Sequence, residues 1–270
     1  MNFRFGVVAG KAPSGAEWAA TARRAEELGY DTLLIPDTLH TFAPFAALAA
    51  AAAVTQTLRL GTYVLSAPNR APGLVAWETE TLQQLSDGRF ELGVGGGRPG
   101  AAADAAVLGG SFGSPASRIE RVAETIAAVR KLENAPPVLV AASGPRMLRL
   151  AAAEADIVAL GLPPQSTEPE LARTVEILRD SDRFNQLELH MNVAGVAPTV
   201  DDLPPFLSRM VGGDPREMAA AGGIAFLTGP AEQIADLLCR RREEFDISYI
   251  GVSGLFMEQF APVIELLRRA

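Results

Sequence analysis

Eight short apolar runs rich in β-branched residues alternate with eight stretches of helical period, and this alternation restricts the fold more than any other feature of the chain. The runs fall near Phe3–Ala9, Thr32–Ile35, Leu58–Leu65, Phe90–Gly95, Val138–Ala142, Asp156–Leu160, Leu189–Val196 and Ser248–Val252. The first helical stretch, Ser14 to Leu28, puts Trp18, Ala22, Ala25 and Leu28 on one face. Ser14 and Glu17 fit a capping box before it, and Gly29 stands where a C-terminal glycine belongs. Further helices are predicted over Ala43–Val54, Gly73–Leu85, Ser117–Leu132, Pro145–Ala153, Pro169–Leu178, Pro230–Glu244 and Glu258–Arg268. Ser117 with Glu120 reads as a second capping box, and Pro145 and Pro230 suit first helical turns. Repeated βα units predict an α/β fold, a (β/α)8 TIM barrel formed by residues 1–270 as one domain. A doubly wound open sheet has the same alternation and is the rival architecture. The least regular stretch, Pro198 to Gly223, predicts an insertion between strands seven and eight, on the face where barrel enzymes bind ligands.

Composition narrows the function. The net charge of -8 comes without any basic run, which argues against nucleic-acid and membrane-surface partners. A single cysteine, Cys239, excludes an intrachain disulfide, and the N-terminus carries no basic segment followed by a long apolar run; a cytoplasmic protein is expected. Only two histidines occur, His40 and His190, and there is no His-x-His or cysteine pair, so no metal centre is expected. The Gly-x-Ser-x-Gly elbow of α/β-hydrolases is missing.

Three segments have the residue types that a ligand site needs. Ser143-Gly144-Pro145-Arg146 follows the fifth strand and opens a helix; a helix start offers free N–H groups and partial positive charge, glycine admits an anion, and Ser143 and Arg146 add a hydroxyl and a full charge. An ordinary capped turn fits the same residues equally well. Gly95, Gly96 and Gly97, with Gly93 before them, end the fourth strand and allow a planar ring or phosphate to approach the backbone. Their spacing is not the dinucleotide fingerprint. Arg98 next to them suits a phosphate or carboxylate clamp, or a solvated side chain. Asp37, at the end of the second strand, can hydrogen-bond and orient a neighbouring loop, and His40 is a candidate proton donor or a structural loop residue. His190 reads as structural, near the bottom of the barrel, and Cys239 as a packing residue.

The segments Ala25-Glu26-Glu27-Leu28-Gly29-Tyr30-Asp31, Leu58-Arg59-Leu60-Gly61-Thr62, Leu85-Ser86-Asp87-Gly88-Arg89-Phe90-Glu91-Leu92-Gly93-Val94-Gly95 and Ala141-Ala142-Ser143-Gly144-Pro145 resemble the bacterial luciferase-like superfamily over nearly the whole chain, its coenzyme F420-dependent members above all. The resemblance implies a flavin or deazaflavin across the C-terminal mouth of a barrel, with its phosphate at Ser143-Gly144-Pro145. It also implies a non-proline cis peptide, here Tyr63–Val64, behind the ring, with Ser66 at the pyrimidine edge. The implied activity is hydride transfer between coenzyme F420 and a small organic substrate. An FMN-dependent monooxygenase fed by a separate reductase is the alternative, then a non-catalytic flavin-binding barrel. Homodimers are common among similar proteins, and the apolar Ala43–Val54 helix can pack against a partner or its own barrel. Two departures stand out. The family's Asp-His pair is Asp37-Thr38 here, with His40 two positions on; and Arg98 replaces the glutamate that some deazaflavin dehydrogenases carry after the glycine cluster.

Overall fold

The structure, a computed structural model, describes residues 2–98 and 100–269. Eight parallel strands form a closed barrel: β1 Arg4–Val8, β2 Thr32–Ile35, β3 Arg59–Thr62, β4 Phe90–Gly95, β5 Val138–Ala142, β6 Ile157–Leu160, β7 Glu188–Val193 and β8 Ile247–Ser253. Each strand pairs with the next, and β8 returns to β1 through Arg4↔Tyr249 to Val8↔Ser253, so no edge remains and the open-sheet alternative is excluded. The expected helices surround it: α1 Gly15–Glu27, α2 Pro44–Ala52, α3 Pro72–Leu85, α4 Pro115–Val129, α5 Pro145–Glu154, α6 Glu168–Arg179, α7 Ala231–Phe245 and α8 Met257–Arg269. No helix of the described residues is long and apolar enough to cross a membrane.

Local chemistry explains most boundaries. The Ser14 side chain accepts from Glu17 N at 3.2 Å, and Gly29 takes φ +82° just past α1. Helix α4 starts earlier than expected, because Ser114 and not Ser117 is its cap: Ser114 Oγ accepts from Ser117 N at 3.2 Å, with Pro115 in the first turn. A capping box the sequence reading missed joins Thr167 and Glu170 at the head of α6.

The third and seventh strands end well before their predicted limits. The third breaks at Tyr63–Val64, which is cis, and resumes as Leu65–Ser66 against Val94–Gly95. At the break Thr62 spans the seam to β4: its Oγ1 donates to Gly93 O at 2.7 Å and accepts from Gly93 N at 2.8 Å. The seventh ends at Val193; Gly195–Ala197 then leaves the barrel and pairs with Phe226–Thr228 in a two-stranded ribbon. Between those two strands lie short helical segments, among them Ser208–Val211 and Pro215–Ala220.

The main core lies between barrel and helices. A second apolar cluster of Leu34, Leu139, Ile157, Ala159 and Tyr249, packed with Val8, Tyr63, Val64 and Ala141, fills the barrel interior. Large interior rings stand opposite glycines. A Cβ on Gly251 would fall 2.5 Å from His190 Nε2, and one on Gly6 3.1 Å from the Tyr249 ring. At the base Glu91 meets Arg4 and Arg59, and Arg4 also holds Glu188.

Candidate functional site

The C-terminal ends of β2 to β6 and the start of α4 enclose a cavity of about 460 Å³. Asp37, Tyr63, Val64, Ser66, Gly95, Gly96, Gly97, Arg98 and Ser143 line it, together with Thr38, Arg118, Met147 and Gly161. The expected site residues of strands two to five therefore converge on one volume, of a size common for ligand pockets. Gly144, Pro145 and Arg146 adjoin that wall without lining it. His40 is exposed outside it, its backbone N–H donating to Thr38 Oγ1 at 3.3 Å.

The floor is the Tyr63–Val64 step, held from the side by Asp37. That carboxylate accepts from Ser66 N at 3.0 Å and from Arg70 Nε and Nη2 at 2.9 and 2.8 Å. Asp37 thus orients a neighbouring loop, as its place at the end of β2 suggested. Glu78 faces the other side of Arg70 at 3.6 Å; burial holds its carboxyl above the usual range against the pull of Arg70. The Ser66 hydroxyl is buried and faces the cavity, with no hydrogen-bond partner among the described residues.

The glycine wall is shaped by what packs behind it. Gly97 has φ +83°, and a Cβ there would meet the Phe112 ring at 2.6 Å and Ser66 Oγ at 3.0 Å. Arg118 lies over Phe112, its Cζ 4.2 Å from the ring centroid. The two arginines of this wall differ. Arg98 pairs with Asp104 at 2.8 Å, whereas Arg118, which lines the cavity, has no acidic partner among the described residues. Of these two, Arg118 is the one free to meet an anion; sequence reading missed it, and its only signal was a basic residue in the first turn of α4. Opposite, Gly144 caps α5 at φ +75° with no side-chain cap, and nothing lies within 4 Å of a Cβ built on it. Ser143, Gly144 and Arg146 are exposed there, at the end of the helix whose first-turn N–H groups lack helical partners.

Beneath the floor, the Tyr63 hydroxyl lies 3.4 Å from His190 Nδ1, and the His190 ring packs edge-on to Tyr249 at 4.6 Å. His190 is the third residue of β7 and touches the underside of the cavity, higher in the barrel than expected. Burial first, and the charge of Arg4 second, lower its pKa to about 3, so the imidazole is neutral. Burial also raises the Tyr63 phenol. Glu91 and Asp156, two carboxylates within or beside the strands, are tied up away from the mouth, Glu91 by Arg4 and Arg59 and Asp156 by Arg130 and the Val138 N–H.

A closed parallel barrel whose C-terminal mouth carries a glycine-walled, anion-compatible cavity is an enzyme-type ligand site. Residues 2–189 match the luciferase-like monooxygenase family, and the chain belongs to it. It is 34% identical over 160 residues to an F420-dependent glucose-6-phosphate dehydrogenase of Beutenbergia cavernae, covering 47% of each protein. It is 30% identical over 187 residues to the protein of that name from Nakamurella multipartita, covering 57% of this chain and 54% of the other. The chain spans about half the length of the curated relatives it matches. Among solved structures it resembles an F420-dependent secondary alcohol dehydrogenase in complex with an F420-acetone adduct (TM-score 0.74, 18% identity, 97% of this chain and 99% of that one). It also resembles a monooxygenase from Streptomyces bottropensis (TM-score 0.72, 19% identity, 98% of each chain). At such identities the likeness is one of fold.

Proposed function

We propose that this protein is a cytoplasmic oxidoreductase that moves hydride between coenzyme F420 and a small organic substrate. The observation that carries the reading is the buried, unpartnered Ser66 hydroxyl facing a glycine-walled cavity at the barrel mouth. A buried hydroxyl without a partner is unfavourable, and a heteroatom on a ligand's edge relieves it. The deazaflavin ring, when bound, supplies the hydride chemistry; the protein supplies position and exclusion of water. In this reading Tyr63 and Val64 support the ring from below, Gly95 to Gly97 let it approach the backbone, and Asp37 fixes the Ser66 loop. The phosphate goes to the uncapped start of α5 by Ser143, with Arg118 within the same cavity as its counter-charge. His40, exposed outside the cavity, is not assigned a part.

The same cradle suits the phosphate of FMN, and monooxygenases share this barrel. An FMN-dependent monooxygenase served by a separate reductase is therefore the second reading. Titration with each coenzyme, followed by ring fluorescence, decides between them. Micromolar F420 binding with FMN at least tenfold weaker supports the first. Tighter FMN binding with oxygen uptake supports the second, and binding neither coenzyme overturns both. A homodimer accompanies either reading. Leu74, Trp77 and Leu85 form an exposed stripe on α3, beside Phe45 and Ala49 of α2.

A further inference from the structure

The cavity occupies one side of the mouth, and the ends of β7 and β8 form the other. Side chains alternate along β7, so Glu188, His190 and Asn192 share one face. His190 fixes that face as the barrel interior, since it packs against Tyr63 and Tyr249. Asn192 pairs in register with Gly251, and a Cβ on Gly251 would lie 2.5 Å from His190 Nε2 and 3.3 Å from Asn192 Oδ1. Asn192 therefore stands directly above the buried imidazole, and one ring separates it from the cavity floor. Unlike His190, Asn192 is exposed, and among the described residues its amide makes no hydrogen bond. Neighbours on the same inner wall, Val8, Gly251 and Ser253, carry no charge. An asparagine held between a neutral ring and open space offers an NH2 donor group and a carbonyl acceptor, with no counter-charge for an anion.

We propose that Asn192 contacts the substrate, and that it makes this half of the mouth a seat for an uncharged hydroxyl or carbonyl group. The inference rests on the reading of the cavity as a coenzyme site only in naming its occupant a substrate. A carboxylate brought here leaves Arg118 and the α5 start on the far wall and meets only the amide. A hydroxyl can donate to the amide oxygen or accept from the amide N–H, and a carbonyl accepts from the N–H.

Ligand-observed NMR with cyclohexanol, cyclohexanone and cyclohexanecarboxylate tests this on the full chain, with and without F420. Wild type is expected to bind the two neutral compounds and to take the carboxylate at least fivefold more weakly. Asn192→Leu is expected to weaken both neutral compounds at least fivefold. Asn192→Asp separates recognition from mere structure. A carboxylate only accepts, so cyclohexanone loses its donor while cyclohexanol keeps a partner. Cyclohexanone binding should then fall at least threefold further than cyclohexanol binding. Melting curves within a few degrees of wild type establish that both variants fold, as an exposed position allows. Carboxylate binding as tight as that of the neutral compounds overturns the proposal. So do neutral-probe affinities unchanged in Asn192→Leu, equal losses of both probes in Asn192→Asp, or no binding of any probe. Failure to bind either coenzyme overturns the proposed function instead, and leaves an Asn192-dependent signal in the coenzyme-free protein standing.

Discussion

Arg70 grips the Asp37 carboxylate with two parallel hydrogen bonds of 2.9 and 2.8 Å, while the same carboxylate holds the Ser66 N–H at 3.0 Å. Both side chains are well shielded, with 19% and 13% exposure, so the pair is only weakly screened by solvent. Asp37→Asn removes the charge that Arg70 holds bidentately, leaves it only the more distant Glu78 at 3.6 Å, and loosens the Ser66 loop. The expected loss of stability is about 2–3 kcal/mol, below the 3–5 of a fully buried broken pair. Coenzyme affinity should fall about tenfold or more. Replacing both residues, with Arg70→Met beside Asp37→Asn, should cost less than the sum of the two single changes in a melting cycle. Strict additivity would mean that the pair does not act as one unit.

Ser66→Ala should act in opposite directions on stability and binding. Its hydroxyl has no partner in the coenzyme-free fold, so removing it leaves stability unchanged or raises it by up to about 1 kcal/mol. If the hydroxyl meets the ring edge, coenzyme affinity drops about tenfold, since one hydrogen bond is worth about 1–1.5 kcal/mol. Chemical denaturation and coenzyme titration on the same two proteins check this; parallel losses in both would mark Ser66 as merely structural.

The barrel was legible because parallel strands buried on both faces must be apolar throughout, as Leu33, Leu34 and Ile35 are, and because helices carry start signals such as Ser14 and Pro145. The break in strand three could not be read from Leu60 to Ser66 by period, since the run stays apolar; only the family likeness pointed to Tyr63–Val64. Local sequence put Arg98 forward as the clamp. It could not reveal that Asp104, six residues on, neutralises it, or that Arg118 returns to the cavity through the first turn of α4. The alternation Glu188, His190, Asn192 within an otherwise apolar strand was a readable signal of a polar inner face. Period alone does not say how high in the barrel that face lies, and His190 as third residue of β7 reaches the cavity floor rather than the base.

Gly93 and Gly144 separate two reasons for keeping a glycine. A Cβ on Gly93 would sit 1.8 Å from the Thr62 carbonyl oxygen, a backbone atom that cannot move without breaking the seam beside Tyr63. Gly93→Ala should therefore destabilise the protein by about 3 kcal/mol or more, in the range of the severe single changes. Gly144→Ala meets no atom within 4 Å but must hold φ +75°, which costs about 1–2 kcal/mol. Its larger effect should be on coenzyme retention, because the methyl group intrudes where the anion is proposed to sit. Melting temperature and coenzyme titration, read together, should rank the two variants in opposite orders.

Trp77 is 68% exposed, with Leu74 at 42% and Leu85 at 62% along the same face of α3. Such a stripe on a water-facing helix fits a second copy of the chain seated across α2 and α3. Trp77→Glu should convert the assembly to a species of 28.5 kDa by light scattering. A wild-type protein that already elutes at that mass at micromolar concentration removes the dimer.

His190 sets a pH dependence of stability with a definite sign. Folded, its pKa is lowered to about 3 by burial and then by Arg4; unfolded, it returns to about 6.5. Between those values the unfolded chain binds a proton that the folded chain refuses, so stability falls as pH drops below about 6.5 and is unaffected by this group above it. From pH 6.5 to 4.5 the imidazole alone removes about 2–3 kcal/mol. In His190→Asn that contribution vanishes, although the Tyr63 hydroxyl loses its ring nitrogen and stability at pH 7.5 falls. Urea denaturation of both proteins across this range should give curves that converge as pH falls. Curves that remain parallel would show His190 able to take up its proton in the folded barrel, contrary to its burial between Tyr63 and Tyr249.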